Sequence, residues 1–104
     1  MFIPDPGTAD SPLTSTASGS AATSPAVTVA VSHFCGQELR LELVAPNGAV
    51  YPLKAATTGV CTSYQCGSYT AAGVSSPAAG TWRLRATDTR SWNFGSVNGW
   101  SIAL

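Results

Sequence analysis

His33 is the only histidine of this chain, and Cys35, Cys61 and Cys66 are its only cysteines, so nucleophilic or metal chemistry has few places to reside. A serine hydrolase would need His33 as general base beside an activated serine. The sequence offers neither a Gly-x-Ser-x-Gly elbow nor a Gly-Thr-Ser nucleophile motif to go with it. His33 is therefore expected to end a strand and make local hydrogen bonds. A structural zinc site wants four N or S ligands at regular spacing. His33 and the three cysteines give that count, but the spacing of Cys61 and Cys66 is loose, and cysteines of an exported module oxidise before they collect zinc. No catalytic, cofactor-binding or metal-ligating residue is expected. Cys35, Cys61 and Cys66 remain as disulfide candidates, with one thiol left over and the connectivity open.

The elements that would position these residues read as strands. Val27, Val29 and Val31 alternate with smaller or polar neighbours over Ala26 to Ser32. Leu39, Leu41 and Leu43 alternate with Arg40, Glu42 and Val44, and Pro46-Asn47-Gly48 then supplies a tight turn, so Ala49 to Leu53 returns as a hairpin partner. Ala55 to Gly67 has no period, holds two cysteines and reads as a loop. Ser68 to Ala72 is a further strand candidate. In Gly80 to Leu104, Trp82, Leu84 and Ala86 alternate with Arg83, Arg85 and Thr87, and after a turn-rich loop Trp100, Ile102 and Leu104 alternate with Ser101 and Ala103. A tryptophan near the start of each of these two strands supplies a large buried area. No segment carries the apolar stripe of an amphipathic helix. The pattern predicts an all-β, jelly-roll β-sandwich of seven to nine short, mostly antiparallel strands. Residues 1–25, rich in Pro, Gly, Ser and Thr, are expected to be a linker and lead-in with at most a short edge strand around Leu13 to Thr16. Residues 26–104 would form the sandwich, with a single domain over 3–104.

Five Lys and Arg balance five Asp and Glu, and only 10% of residues are charged, so Ser, Thr, Asn and Gln carry the surface polarity. Arg40, Lys54, Arg83, Arg85 and Arg90 are scattered along the chain, which argues against a nucleic-acid partner. No run approaches the roughly 20 apolar residues that span a bilayer. The opening MFIPDPGTADS lacks the basic and apolar regions of a signal peptide, so the chain is expected to be a monomeric module of a longer, secreted precursor. Abundant Ser, Thr and Ala, a single lysine and three cysteines fit an oxidising compartment.

The order and punctuation of these strands resemble the P domain, or Homo B domain, of proprotein convertases, in the form appended to secreted bacterial proteases. The resemblance rests on Ile3-Pro4-Asp5, the valine-rich strand ending at His33, Leu39 to Gly48, Gly80-Thr81-Trp82, Asp88, Gly95 and Asn98-Gly99-Trp100-Ser101. It implies a non-catalytic C-terminal accessory domain of a secreted endopeptidase, more often serine-type than metalloprotease, that assists folding, stability or substrate access. The partner implied is the catalytic domain of the same polypeptide, with a protein substrate as a second candidate. The alternative is an independent carbohydrate- or protein-binding jelly-roll module.

Relatives of this type often hold calcium at one end of the sandwich, and the resemblance marks Asp5, Glu38, Asp88 and Asn93 as what is left of such a site. This chain departs from that pattern: Gln37-Glu38-Leu39 stands where Gly-Asp-Leu is common, residues 55–67 contain no acid, and Asn93 stands where an aspartate often follows. Calcium prefers six to eight oxygens, several from carboxylates, so no cofactor is expected. The cysteines lie in the same two loops. A bridge from Cys35 to Cys61 or Cys66 would staple them, and the competing arrangement is a local Cys61 to Cys66 bridge. Trp92, Phe94 and Tyr64 form either a contact patch or a small cluster internal to their loops.

Overall fold

Val27, Val29, Val31 and His33 are buried along one strand, while Ala26, Thr28 and Ala30 between them are exposed and Ser32 is half-buried. This period of two, repeated in the other strands of the computed structural model, sets the architecture. The structure describes residues 1–4, 7–90 and 95–104. Its strands are β1 (Phe2–Ile3), β2 (Gly7–Ser15), β3 (Ala26–His33), β4 (Leu39–Val44), β5 (Val50–Lys54), β6 (Gly67–Thr70), β7 (Gly80–Asp88) and β8 (Gly95–Ile102). A single 3-10 turn, Gly36–Glu38, precedes β4. Among the described residues there is no α-helix, and no helix long and apolar enough to cross a membrane.

Two four-stranded sheets form, in the orders β1-β8-β3-β6 and β2-β7-β4-β5, with antiparallel pairing throughout. Consecutive strands change sheet at most steps. That interleaving is the jelly-roll order, in which two Greek keys close over one core. Ile3, Val27, Val29, Val31 and Val97 face the core from one sheet. Leu39, Leu41, Leu43, Trp82, Leu84 and Ala86 face it from the other. Trp82 has no exposed surface, and its indole N–H is satisfied by the carbonyl of Ala78 at 3.0 Å. The hairpin between β4 and β5 turns at Gly48, whose φ of 87° is in the left-handed region that a side chain disfavours. Asn47 closes this turn by accepting from the Ala49 N–H at 3.1 Å.

Two expectations need correction. The Pro/Ser/Thr-rich lead-in does not stop at a short strand around Leu13: β2 pairs with β7 from Gly7 to Ser15. It lies at the edge of its sheet, where Ala9 is buried and Leu13 half-buried while Thr8, Pro12 and Thr14 face solvent. An edge strand has a row of backbone N–H groups pointing away from its partner, and there proline removes no ladder bond. A composition that reads as linker is also that of a wet edge strand. The second correction concerns Trp100, which sits late in β8 and is only half-buried; the strand begins five residues earlier, at Gly95.

Leu43 is wholly buried at the centre of this core. Leu43→Ala is expected to cost about 3 kcal/mol, seen as a fall in Tm of roughly 15 °C. A loss of less than about 1 kcal/mol would mean that the two sheets do not pack as described.

Candidate functional site

The alternation that buries Val27, Val29 and Val31 also carries His33 inward, and the alternation of Trp82, Leu84 and Ala86 carries Asp88 inward from the opposite sheet. Their side chains meet at one end of the core, each with no exposed surface, with His33 Nε2 3.2 Å from Asp88 Oδ2. The two atoms are in contact, although the N–H does not point straight at the oxygen and no hydrogen bond forms between them. His33 Nδ1 accepts the Cys35 backbone N–H at 2.9 Å, so it carries no proton, and the ring's proton is on Nε2, facing Asp88. Asp88 Oδ1 accepts the Arg90 backbone N–H at 3.1 Å. In a hydrolase the carboxylate accepts a hydrogen bond from one ring N–H and leaves the other nitrogen free for a serine. Here the second nitrogen is consumed by the histidine's own loop and the ring is sealed from solvent, so the pair ties sheet to sheet.

Gly95 makes this approach possible. A Cβ at that position would lie 2.2 Å from the Ser32 carbonyl oxygen and 3.0 Å from the His33 Cα, so only glycine lets β8 pass this close to the end of β3.

Two loops cover this end. Cys35 and Cys61 are joined by a disulfide with a Cα–Cα separation of 4.6 Å, while Cys66 is a free, exposed thiol. Around the bridge, Gly36 donates to Thr62 O at 2.8 Å, Thr57 donates to Gln37 O at 2.7 Å, and His33 and Tyr64 exchange both backbone hydrogen bonds at 2.9 Å. The Gln37 side chain accepts from the Thr62 N–H at 3.0 Å and donates to its hydroxyl at 3.0 Å. The loop from 55 to 66 is thus stitched to the 3-10 turn with little apolar burial of its own. Tyr64 is half-buried, and its hydroxyl is hydrogen-bonded to that of Tyr69. Burial, together with that bond, pushes the Tyr64 phenol well above the usual tyrosine range.

The described residues do not fit calcium. Asp88 is buried against His33 and the Arg90 N–H, and the Glu38 backbone carbonyl is taken by the Thr89 N–H and hydroxyl. The cluster of candidate ligands at this end comprises Glu38, Cys35 and Cys61, and the bridge leaves its two sulfurs with no thiolate to offer. One carboxylate is far from the six to eight oxygens that calcium takes. Asp5, Asn93, Trp92 and Phe94 lie outside the described residues.

Beside the stapled loops is an open cleft of about 370 Å³ lined by Phe2, His33, Phe34, Tyr64 and Ser96, among others. Phe2 and Phe34 are largely exposed at its rim. Neither stood out in the sequence, because two isolated phenylalanines carry no periodic signal. Tyr64, one of the expected patch aromatics, does reach this cleft. The scattered basic residues are also partly gathered: Arg40, Arg83 and Arg85 share the outer face of the β2-β7-β4-β5 sheet with Asp10 and Glu42. Arg85 stands directly between Asp10 and Glu42 and donates to Asp10 at 3.0 Å, and this hydrogen bond holds its pKa above the ordinary value.

The fold and this end define an all-β module whose one histidine is locked into the structure. Residues 23–104 match the proprotein convertase P-domain family, and the chain belongs to it. Over 103 residues the chain is 34% identical to a transglutaminase-activating metalloprotease of Streptomyces mobaraensis, covering 98% of this chain and 14% of that protein. It is 35% identical over 103 residues to leupeptin-inactivating enzyme 1 of Streptomyces exfoliatus, covering 96% of this chain and 23% of that protein. A crystal structure of a serine protease of Aeromonas sobria shares the fold with a TM-score of 0.70 at 18% identity, over 97% of this chain and 24% of the other. The chain therefore spans less than a quarter of each of these relatives.

Asp88→Asn tests the buried pair. Among the described residues the groups facing the carboxylate are donors, so an asparagine NH2 would oppose either the Arg90 N–H or the His33 Nε2–H, and the ring cannot move its proton to Nδ1 without opposing the Cys35 N–H. A loss of about 2 kcal/mol is expected, read by denaturant unfolding. An unchanged midpoint would contradict the arrangement.

Proposed function

We propose that this chain is a non-catalytic accessory domain of an exported endopeptidase, which docks on the catalytic domain of the same polypeptide and keeps it folded. The observation that carries this reading is one of proportion. The chain matches its curated relatives along almost all of its own length but only 14% and 23% of theirs, and one of them is named a metalloprotease. A disulfide between two loops suits the oxidising compartment in which an exported protease works. Metallo- and serine-type proteases both occur among the similar proteins, so the domain serves either chemistry.

The exposed Phe2 and Phe34 beside the stapled loops supply apolar surface that a neighbouring domain would cover. The test is to produce the parent protease with and without this domain. Deletion is expected to lower the yield of active enzyme and the Tm of the catalytic domain, and Phe34→Ser in the intact protein is expected to do so partially. Equal yield and equal Tm after deletion would overturn the accessory role.

A further inference from the structure

Lys54 is the only lysine of the chain, and its part-buried ammonium donates to backbone carbonyls of the protein. Nζ donates to the backbone carbonyls of Gly36, of Leu39 at 2.8 Å and of Ala55 at 3.4 Å. The three oxygens come from the 3-10 turn, the first residue of β4 and the loop leaving β5. The Tyr64 ring centroid lies 5.8 Å from Nζ, within cation–π range. Among the described residues no carboxylate lies within ion-pair distance of it. Gly36, Lys54, Ala55 and Tyr64 line a hollow of about 340 Å³ between the two stapled loops.

A lysine at a strand end normally extends its ammonium into solvent. At this position the ladder between β4 and β5 is irregular: Leu41 pairs with Lys54, yet Glu42 pairs with Pro52. A bulge of this kind re-aims side chains, and Lys54 is turned toward the carbonyls. Burial lowers the pKa of the ammonium, so this placement carries a desolvation cost that the three acceptors offset.

Converging backbone carbonyls with no carboxylate among them are ligands for a large monovalent cation, as in potassium filters. Calcium or magnesium would call for more oxygens at shorter range, with charged donors. We propose that the carbonyls of Gly36, Leu39 and Ala55 form a monovalent-cation site that the chain fills with its own tethered ammonium. This internal cation holds the turn before β4 against the loop after β5.

Removing the tether should convert the position into a site for a free cation. Lys54→Ala lacks three methylene groups and the amine, which propylammonium replaces. The Tm of this variant is expected to fall by about 5–10 °C, and propylammonium should restore at least half of the loss where sodium or choline at matched ionic strength does not. Wild type and Lys54→Met, whose side chain keeps the length of the lysine stem, should show no selective response to propylammonium. Should Lys54→Ala fail to fold, recovery of the fold in propylammonium but not in choline supports the site. In the wild type, slow hydrogen exchange should make the Lys54 Nζ protons visible by NMR, and acetylation of Lys54 should be several-fold slower than for a free lysine side chain. The proposal is overturned if Lys54→Ala melts with the wild type, if all three salts restore it equally, or if wild-type Lys54 acetylates as fast as free lysine.

Discussion

The Cys35–Cys61 bond holds together two loops that bury too little apolar surface to hold themselves. From Ala55 to Cys66 only Ala56 and Tyr64 are even half-buried, so ordering this segment draws little on the hydrophobic term that stabilises the rest of the sandwich. A cross-link over 26 residues removes loop-closure entropy from the unfolded chain instead, worth about 3 kcal/mol. Once the bridge fixes the loops, short backbone hydrogen bonds from Gly36, Thr57 and His33 become affordable in register. Beneath them the His33–Asp88 contact is shut off from water.

This arrangement places groups that look catalytic in isolation inside the sandwich. A histidine and an aspartate at 3.2 Å would draw attention in any protease-related protein. Position in the jelly roll decides the matter: one comes from each sheet, both lie on the inward side of their strands, and the cover above them is covalently closed. Neither the imidazole nor the carboxylate has exposed side-chain surface. Phe2 and Phe34 lie exposed at the cleft rim of the same end.

Much of this was legible in the sequence. Period-two alternation located β3, β4, β7 and the β4–β5 hairpin, and continuing the same count through His33 and Asp88 would have placed both inside, although their partnership across 55 positions left no local trace. The inventory of cysteines left open a bridge from Cys35 to Cys61 or Cys66 and a local one between Cys61 and Cys66, and the structure selects Cys35–Cys61. What could not be read depends on register. Asp10, Arg85 and Glu42 become neighbours only when β2, β7 and β4 are aligned, and Lys54 finds its carbonyls only through an irregular ladder between β4 and β5. The extent of the lead-in strand was hidden for a different reason: solvent-facing edge strands and linkers are built from the same polar residues and prolines.

The central claim is that this end of the domain is closed by bonds internal to the chain. Thermal unfolding of the 104-residue chain under three conditions, untreated, with a calcium chelator and with a dithiol reductant, tests it most directly. The account predicts no shift with chelator and, on reduction, a fall in Tm of roughly 10–20 °C. A large fall with chelator, together with indifference to reductant, would contradict it.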